Sequence, residues 1–114
     1  MYLTRLICLM FLIGGLATAC ISGDDDDPSN AERERAIEAA LEVYAEVAAG
    51  GADLSNGPCI AEELEAVPGW SVDIAHDPRE AVDDDPANQC QAYRDGRTQH
   101  FVELTPEGTL IRAR

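Results

Sequence analysis

The sequence predicts an α+β fold: one N-terminal amphipathic helix packed on a small antiparallel sheet of about four strands, with one disulfide. Three observations point there. A helical apolar stripe with a start signal spans 29–49, an alternating apolar run spans 70–75, and Asp95-Gly96 separates two strand-like runs near the C-terminus.

The helix is the clearest element. Ser29-x-x-Glu32 has the form of a capping box, in which the hydroxyl accepts from the Glu32 amide and the carboxylate reaches back. Ile37, Leu41, Tyr44 and Ala48, flanked by Ala40 and Val47, recur at i, i+4, i+7 and i+11 as one apolar face. Glu38, Glu42 and Glu46 occupy the opposite face, where mutual repulsion suits a solvated surface. Gly50-Gly51 ends the helix.

After a turn at Ser55-Asn56-Gly57-Pro58, Ile60 to Val67 reads as a short helix, and Pro68-Gly69 breaks it. Trp70, Val72 and Ile74 alternate with Ser71, Asp73 and Ala75, which predicts a strand with one buried face. A loop rich in Asp and Pro follows over 76–88. Asp95-Gly96 then suggests a two-residue hairpin between Cys90–Arg94 and Arg97–Leu104, setting Cys90 against Phe101 and Tyr93 against Thr98. Thr105 to Gly108 turns the chain into a last strand, Thr109–Ala113, with two registers open. A two-residue loop sets Glu103 opposite Arg112, and a three-residue loop sets Leu104 opposite Leu110.

The segment ahead of the helix carries an address. One cation at Arg5 precedes an apolar run from Leu6 to Ala19, which at 14 residues is short of the roughly 20 needed to span a bilayer. Ala17-Thr18-Ala19 has the small-x-small form of a cleavage site. Leu16-Ala17-Thr18-Ala19-Cys20 resembles the lipobox of bacterial lipoproteins, although the usual leucine three positions before the cysteine is here Ala17. The resemblance implies cleavage before Cys20 and a lipid on its sulfur, so that the chain contacts a membrane through that lipid. The expected organisation is a signal peptide over 1–19, an acidic tether over 20–29 and a single small α+β domain over 30–114. The tether's Asp24 to Asp27 should extend it by self-repulsion.

Cysteine arithmetic agrees with that division. Cys8 leaves with the signal peptide, and Cys59 can pair with Cys90 inside the folded body. Cys20 would otherwise be an odd thiol in an oxidising compartment. The Cys59–Cys90 spacing excludes a CxxC redox pair and offers too few ligands for structural zinc. Closing about 32 residues should contribute roughly 3.5–4 kcal/mol.

Charge narrows the partners. The chain has 22 acids against 8 cations, all of them arginine, and a net charge of −14. Such a surface repels phosphate backbones, which excludes nucleic acid as a partner. Asp73-Ile74-Ala75-His76-Asp77-Pro78-Arg79 concentrates functional groups at a strand end, where loops often carry function. Asp73, His76, Asp77 and Arg79, with the second histidine His100, are therefore the candidate binding residues. No catalytic residue, metal ligand set or cofactor motif is assigned: G-x-S-x-G, H-E-x-x-H and the P-loop are all missing from the sequence. The expected function is a lipid-anchored extracytoplasmic binding or envelope-structural module with a protein or small-molecule partner. The alternative is a small metal-dependent or acid–base hydrolase in which His76 and His100 converge with Asp73 or Asp77.

Overall fold

The computed structural model describes residues 27–114, so the expected signal peptide, Cys20 and most of the expected acidic tether lie outside the described residues. Helix α1 (Asn30–Ala49) is followed by strands β1 (Cys59–Ala61) and β2 (Trp70–Ile74). Two 3₁₀ turns (Ala81–Asp84, Pro86–Asn88) and a one-turn helix α2 (Gln91–Arg94) lead to β3 (His100–Leu104) and β4 (Leu110–Ala113). The four strands form one sheet in the order β1-β2-β3-β4. The helix packs on this sheet, and Cys59 and Cys90 are joined by a disulfide.

The sheet is mixed rather than antiparallel. β1 and β4 run antiparallel to their neighbours, but β2 and β3 are parallel, pairing Trp70 with His100 through to Ile74 with Leu104. The expected Asp95-Gly96 hairpin does not form. Gln91 to Arg94 instead coil into α2, a run better suited to helix than to strand. The Glu62 carboxylate accepts from the Ala92 amide at 2.8 Å, satisfying an orphan donor of that first turn. Gly96, at φ 76°, ends the turn: Arg97 N–H donates to Ala92 O and Gly96 N–H to Tyr93 O, a Schellman closure. Asp-Gly suits a helix stop as well as a hairpin, because both need a residue at positive φ. Cys90 and Tyr93 accordingly do not pair with Phe101 and Thr98 as strand neighbours.

Two other local expectations change. Ile60–Val67 is not helical; Cys59–Ala61 instead pair with β2, and the chain then bends so that Leu64 and Val67 enter the core. In the last hairpin both candidate registers occur. Glu103 faces Arg112 and Leu104 faces Leu110, reconciled by an irregularity that leaves Ile111 as the extra residue.

Helix α1 is as expected in extent but rolled by one position. Ser29 Oγ accepts from the Glu32 amide at 3.1 Å. The Glu32 carboxylate, however, accepts from the indole N–H of Trp70 at 2.9 Å rather than closing the capping box. A fully buried indole N–H without an acceptor costs more than a missing second cap bond. The buried helix residues are Ala36 and Ala40, with Val43, Tyr44 and Val47 packed beside them, and Leu41 is left 40% exposed. The i, i+4, i+7, i+11 spacing survives one residue earlier, and the two alanines let the helix backbone lie close to the sheet.

That helix-side core contains Trp70, Val72 and Ile74 from β2, Val102 and Leu104 from β3, and Leu54, Leu64 and Val67 from the loops. At its far edge Tyr44 donates to Pro106 O at 2.9 Å and lies against Gly108. A Cβ on Gly108 would sit 2.5 Å from the Tyr44 ring, on a residue held at φ +86°. Gly108→Ala should therefore cost about 1–3 kcal/mol in urea unfolding. Gly51→Ala has a similar φ of +80° but nothing within 4 Å, and should cost less.

Candidate functional site

The strand period places the site. With Trp70, Val72 and Ile74 turned to the helix, Ser71 and Asp73 must face the other side of the sheet. The parallel register sets Phe101 beside Ser71 and Glu103 beside Asp73 on that same side. Helix α2 and the 76–90 loop cover this second face only in part. They leave a cleft of about 470 Å³ whose lining includes Asp73, Arg79, Tyr93, Arg94, Phe101 and Glu103. Arg112 and Arg114 complete its wall, so four of the chain's eight arginines converge on one cleft.

Its floor is a pair of neighbouring carboxyl groups. Glu103 is 4% exposed and accepts from Arg112 Nε at 3.0 Å and from Arg79 at 3.4 Å. Asp73 takes no such partner; its Oδ1 is buried with no hydrogen-bond partner among the described residues. Burial, and then the charge of Glu103, push the Asp73 carboxyl up to about 8, so it holds a proton at neutral pH. With its proton kept, Asp73 removes the like-charge clash that the register would otherwise impose on the pair.

The walls divide by chemistry. Tyr93 meets Phe101 edge to face, with ring centroids 5.0 Å apart. The guanidinium groups of Arg112 and Arg114 lie 5.8 and 5.5 Å from the Phe101 centroid, within cation–π range. Arg79 also donates to Asp84 at 2.9 Å. Arg94 and Arg114 make no ion pair among the described residues. Ser71 Oγ donates its one hydrogen to Glu62 O at 2.7 Å and so accepts from Thr98 Oγ1 at 2.6 Å.

Of the residues singled out in the sequence, Asp73 and Arg79 belong to the cleft. His76 does not line it: its Nδ1 lies 2.9 Å from Asp83 Oδ1, and its Nε2 is 3.7 Å from Glu80. Asp83 is almost fully buried and also accepts from the amides of His76 and Glu80, so it ties the loop together. Asp77 is exposed, in a cis peptide bond with Pro78. His100 packs on Trp70 on the helix side of the sheet, with ring centroids 5.0 Å apart. It pairs at the start of β2, whereas His76 lies beyond the strand's end, on the order of 15–20 Å away by strand rise. The two imidazoles therefore cannot share a metal. Glu62 lies beside Cys59 and Cys90, but sulfurs bonded to each other offer no thiolate for a cation.

Sequence reasoning missed Glu103, Arg112, Arg114, Tyr93, Arg94 and Phe101. The available trace was the alternation Phe101-x-Glu103 and Arg112-x-Arg114, but only the parallel register puts it beside Ser71-x-Asp73. No protein-family model matches the chain, and no curated protein or solved structure shows significant similarity to it.

Two pH profiles follow. Asp73 titrates near 3.9 when unfolded and near 8 when folded, so stability should fall as pH rises from about 4 to 8, by up to about 1.4 kcal/mol per unit. Asp73→Asn should flatten that decline and be the more stable protein at pH 8, as read by urea unfolding across pH. The loop pair behaves differently. The hydrogen bond to Asp83 raises His76 above its ordinary value. Burial works to raise Asp83, but the amides of Glu80 and His76, with the His76 ring, outweigh it and hold the carboxyl low. The Asp83 contribution is lost as pH falls through its depressed value, and the His76 contribution as pH rises through its raised one. The stability difference between wild type and His76→Asn should thus be largest between about pH 4 and 6.5 and shrink above it.

Proposed function

We propose that the chain is a lipid-tethered extracytoplasmic binding module, anchored through Cys20, that holds a small molecule in the cleft on the second face of its sheet. The observation that carries this reading is Asp73. A small domain keeps a protonated carboxyl with an unpartnered buried oxygen at the floor of a concave site, at a cost to its own stability, which is the mark of a group kept for a ligand.

Binding is favoured over catalysis by what surrounds that acid. The Ser71 hydroxyl is committed to Thr98 and Glu62, and both oxygens of the Glu103 carboxylate are engaged by guanidinium groups. The tether reading is supported by the lipobox-like run, by the acidic spacer after Cys20, and by the use of the other two mature cysteines on each other. The net negative charge supports a partner other than nucleic acid. Among the described residues no helix is long and apolar enough to cross a membrane, so attachment in this scheme rests on the lipid.

Mass spectrometry of the full chain extracted from its membrane tests both halves. Denatured, it should begin at Cys20, carry a diacyl or triacyl mass, and gain the mass of two hydrogen atoms when a thiol reductant reduces the disulfide. Under native conditions it should carry a small-molecule adduct that Tyr93→Ala weakens. A soluble chain with an unmodified Cys20 would overturn the tether. An adduct-free chain that no small molecule stabilises would overturn the binding site.

A further inference from the structure

We infer that the cleft selects a small organic anion, with its anionic group at Arg94 and Arg114, an apolar body against Tyr93, and a hydrogen-bond acceptor at Asp73. This rests on the binding-module reading and names the ligand's chemical class.

Charge accounting carries the first part. Arg79 and Arg112 are committed to Glu103, and Arg79 to Asp84 as well. Arg94 and Arg114 line the same cleft without a carboxylate partner among the described residues, in a chain where acids outnumber cations by 22 to 8. An arginine on such a surface has many acids to pair with, as Arg97 does with Asp95. Two that remain unpaired at one concave site leave positive potential there, which low-dielectric walls concentrate. A guanidinium also presents a fork of donors suited to carboxylate or phosphate oxygens.

The walls argue for an organic body rather than a bare inorganic anion. The Tyr93 side chain is 42% exposed at the cleft, while the Phe101 ring is already approached by two guanidinium groups. Tyr93 is thus the aromatic surface left for an apolar body. At about 470 Å³ the cleft is within the usual range for small-molecule sites.

The floor argues for an acceptor. A protonated Asp73 can donate its O–H, whereas an ionised one would repel an anion. The groups that bear on it are Glu103 from β3, Arg112 from β4, Arg79 and Asp83 from the loop, and Arg94 from α2. Of these, Glu103 and Asp83 oppose its ionisation and Arg79 favours it. Ligand uptake is then linked to retention of the Asp73 proton.

Isothermal titration and thermal unfolding of the full chain in detergent test this with 4-carboxybenzamide, 4-carbamoylphenyl phosphate, benzamide, benzylamine and inorganic phosphate at matched ionic strength. The two aromatic anions should bind and raise the unfolding midpoint, and their ranking separates carboxylate from phosphate ligands. Arg94→Ala with Arg114→Ala should weaken 4-carboxybenzamide at least tenfold. Between pH 6 and 9 its affinity for the wild type should fall about tenfold, as expected for a site that must hold a proton with a value near 8. Asp73→Asn keeps a donor and should remove that pH dependence. Binding of benzamide or benzylamine in preference to the anions would overturn the inference and leave the binding module standing. Inorganic phosphate matching the aromatic anions would overturn the organic body. No response to any probe would overturn the inference, and the module itself would fall only if the native extract were also adduct-free.

Discussion

Because β2 and β3 run parallel and in register from Trp70–His100 to Ile74–Leu104, alternate residues of both strands are forced to opposite sides of the sheet together. Trp70, Val72, Ile74, Val102 and Leu104 build the core under α1, and Ser71, Asp73, Phe101 and Glu103 are delivered to the other side as a block. One pairing thus makes both the hydrophobic core and the polar cleft. It also creates the molecule's main electrostatic conflict, two carboxyls side by side in a covered site. The conflict is settled unequally: Glu103 receives two arginines, and Asp73 keeps its proton.

That settlement costs stability, and a body of this size has little to spare. The Cys59–Cys90 bond offsets it, closing a loop of sequence separation 31, for which chain entropy gives roughly 3.5–4 kcal/mol. Its position matters as much as its magnitude. Cys59 opens β1, and Cys90 is the residue from which α2 starts, so the bond fixes the cleft's lid to the sheet. Glu62 adds a second attachment through the Ala92 amide. The helix that carries Tyr93 and Arg94 is thus held to β1 by the disulfide and to the segment after it by this bond, which suits a cleft of fixed shape.

Local patterns were legible in the sequence, and long-range pairings were not. The extent of α1, its cap at Ser29, the β2 alternation and the disulfide all follow from residue types and spacing. The Asp95-Gly96 hairpin failed because its turn chemistry fits two geometries, and the helical one is capped by the Glu62 carboxylate, 30 residues from the Ala92 amide it accepts from. The capping box half-failed for a similar reason, since Glu32 had a more demanding partner in Trp70. Once the hairpin was assumed, Phe101 was set against Cys90 instead of Ser71, Glu103 was not brought beside Asp73, and the cleft could not be seen. Asp73 and Arg79 were found because they lie in one short segment. His76 shared that segment but serves Asp83, and His100 is on the far side of the sheet. Density of functional groups along the chain located a strand end correctly and its chemistry only in part.

The distribution of charge has a physical consequence beyond solubility. With 18 of the chain's 22 acids in residues 30–114, the outer surface repels anions at a distance, while the cleft concentrates half of the chain's cations around Glu103. Screening weakens the outer field within about 10 Å at 0.1 M salt, so the two regions act at different ranges. Neutral and cationic molecules meet no barrier outside but find guanidinium groups within. A small anion pays on approach and is compensated only if it reaches Arg94 and Arg114. Selection in such a site falls to the inner contacts, among them Asp73, whose carboxyl is pushed up to about 8 by burial and Glu103. The buried acid that works against the fold is therefore also the group that would make occupancy of the proposed site depend on pH.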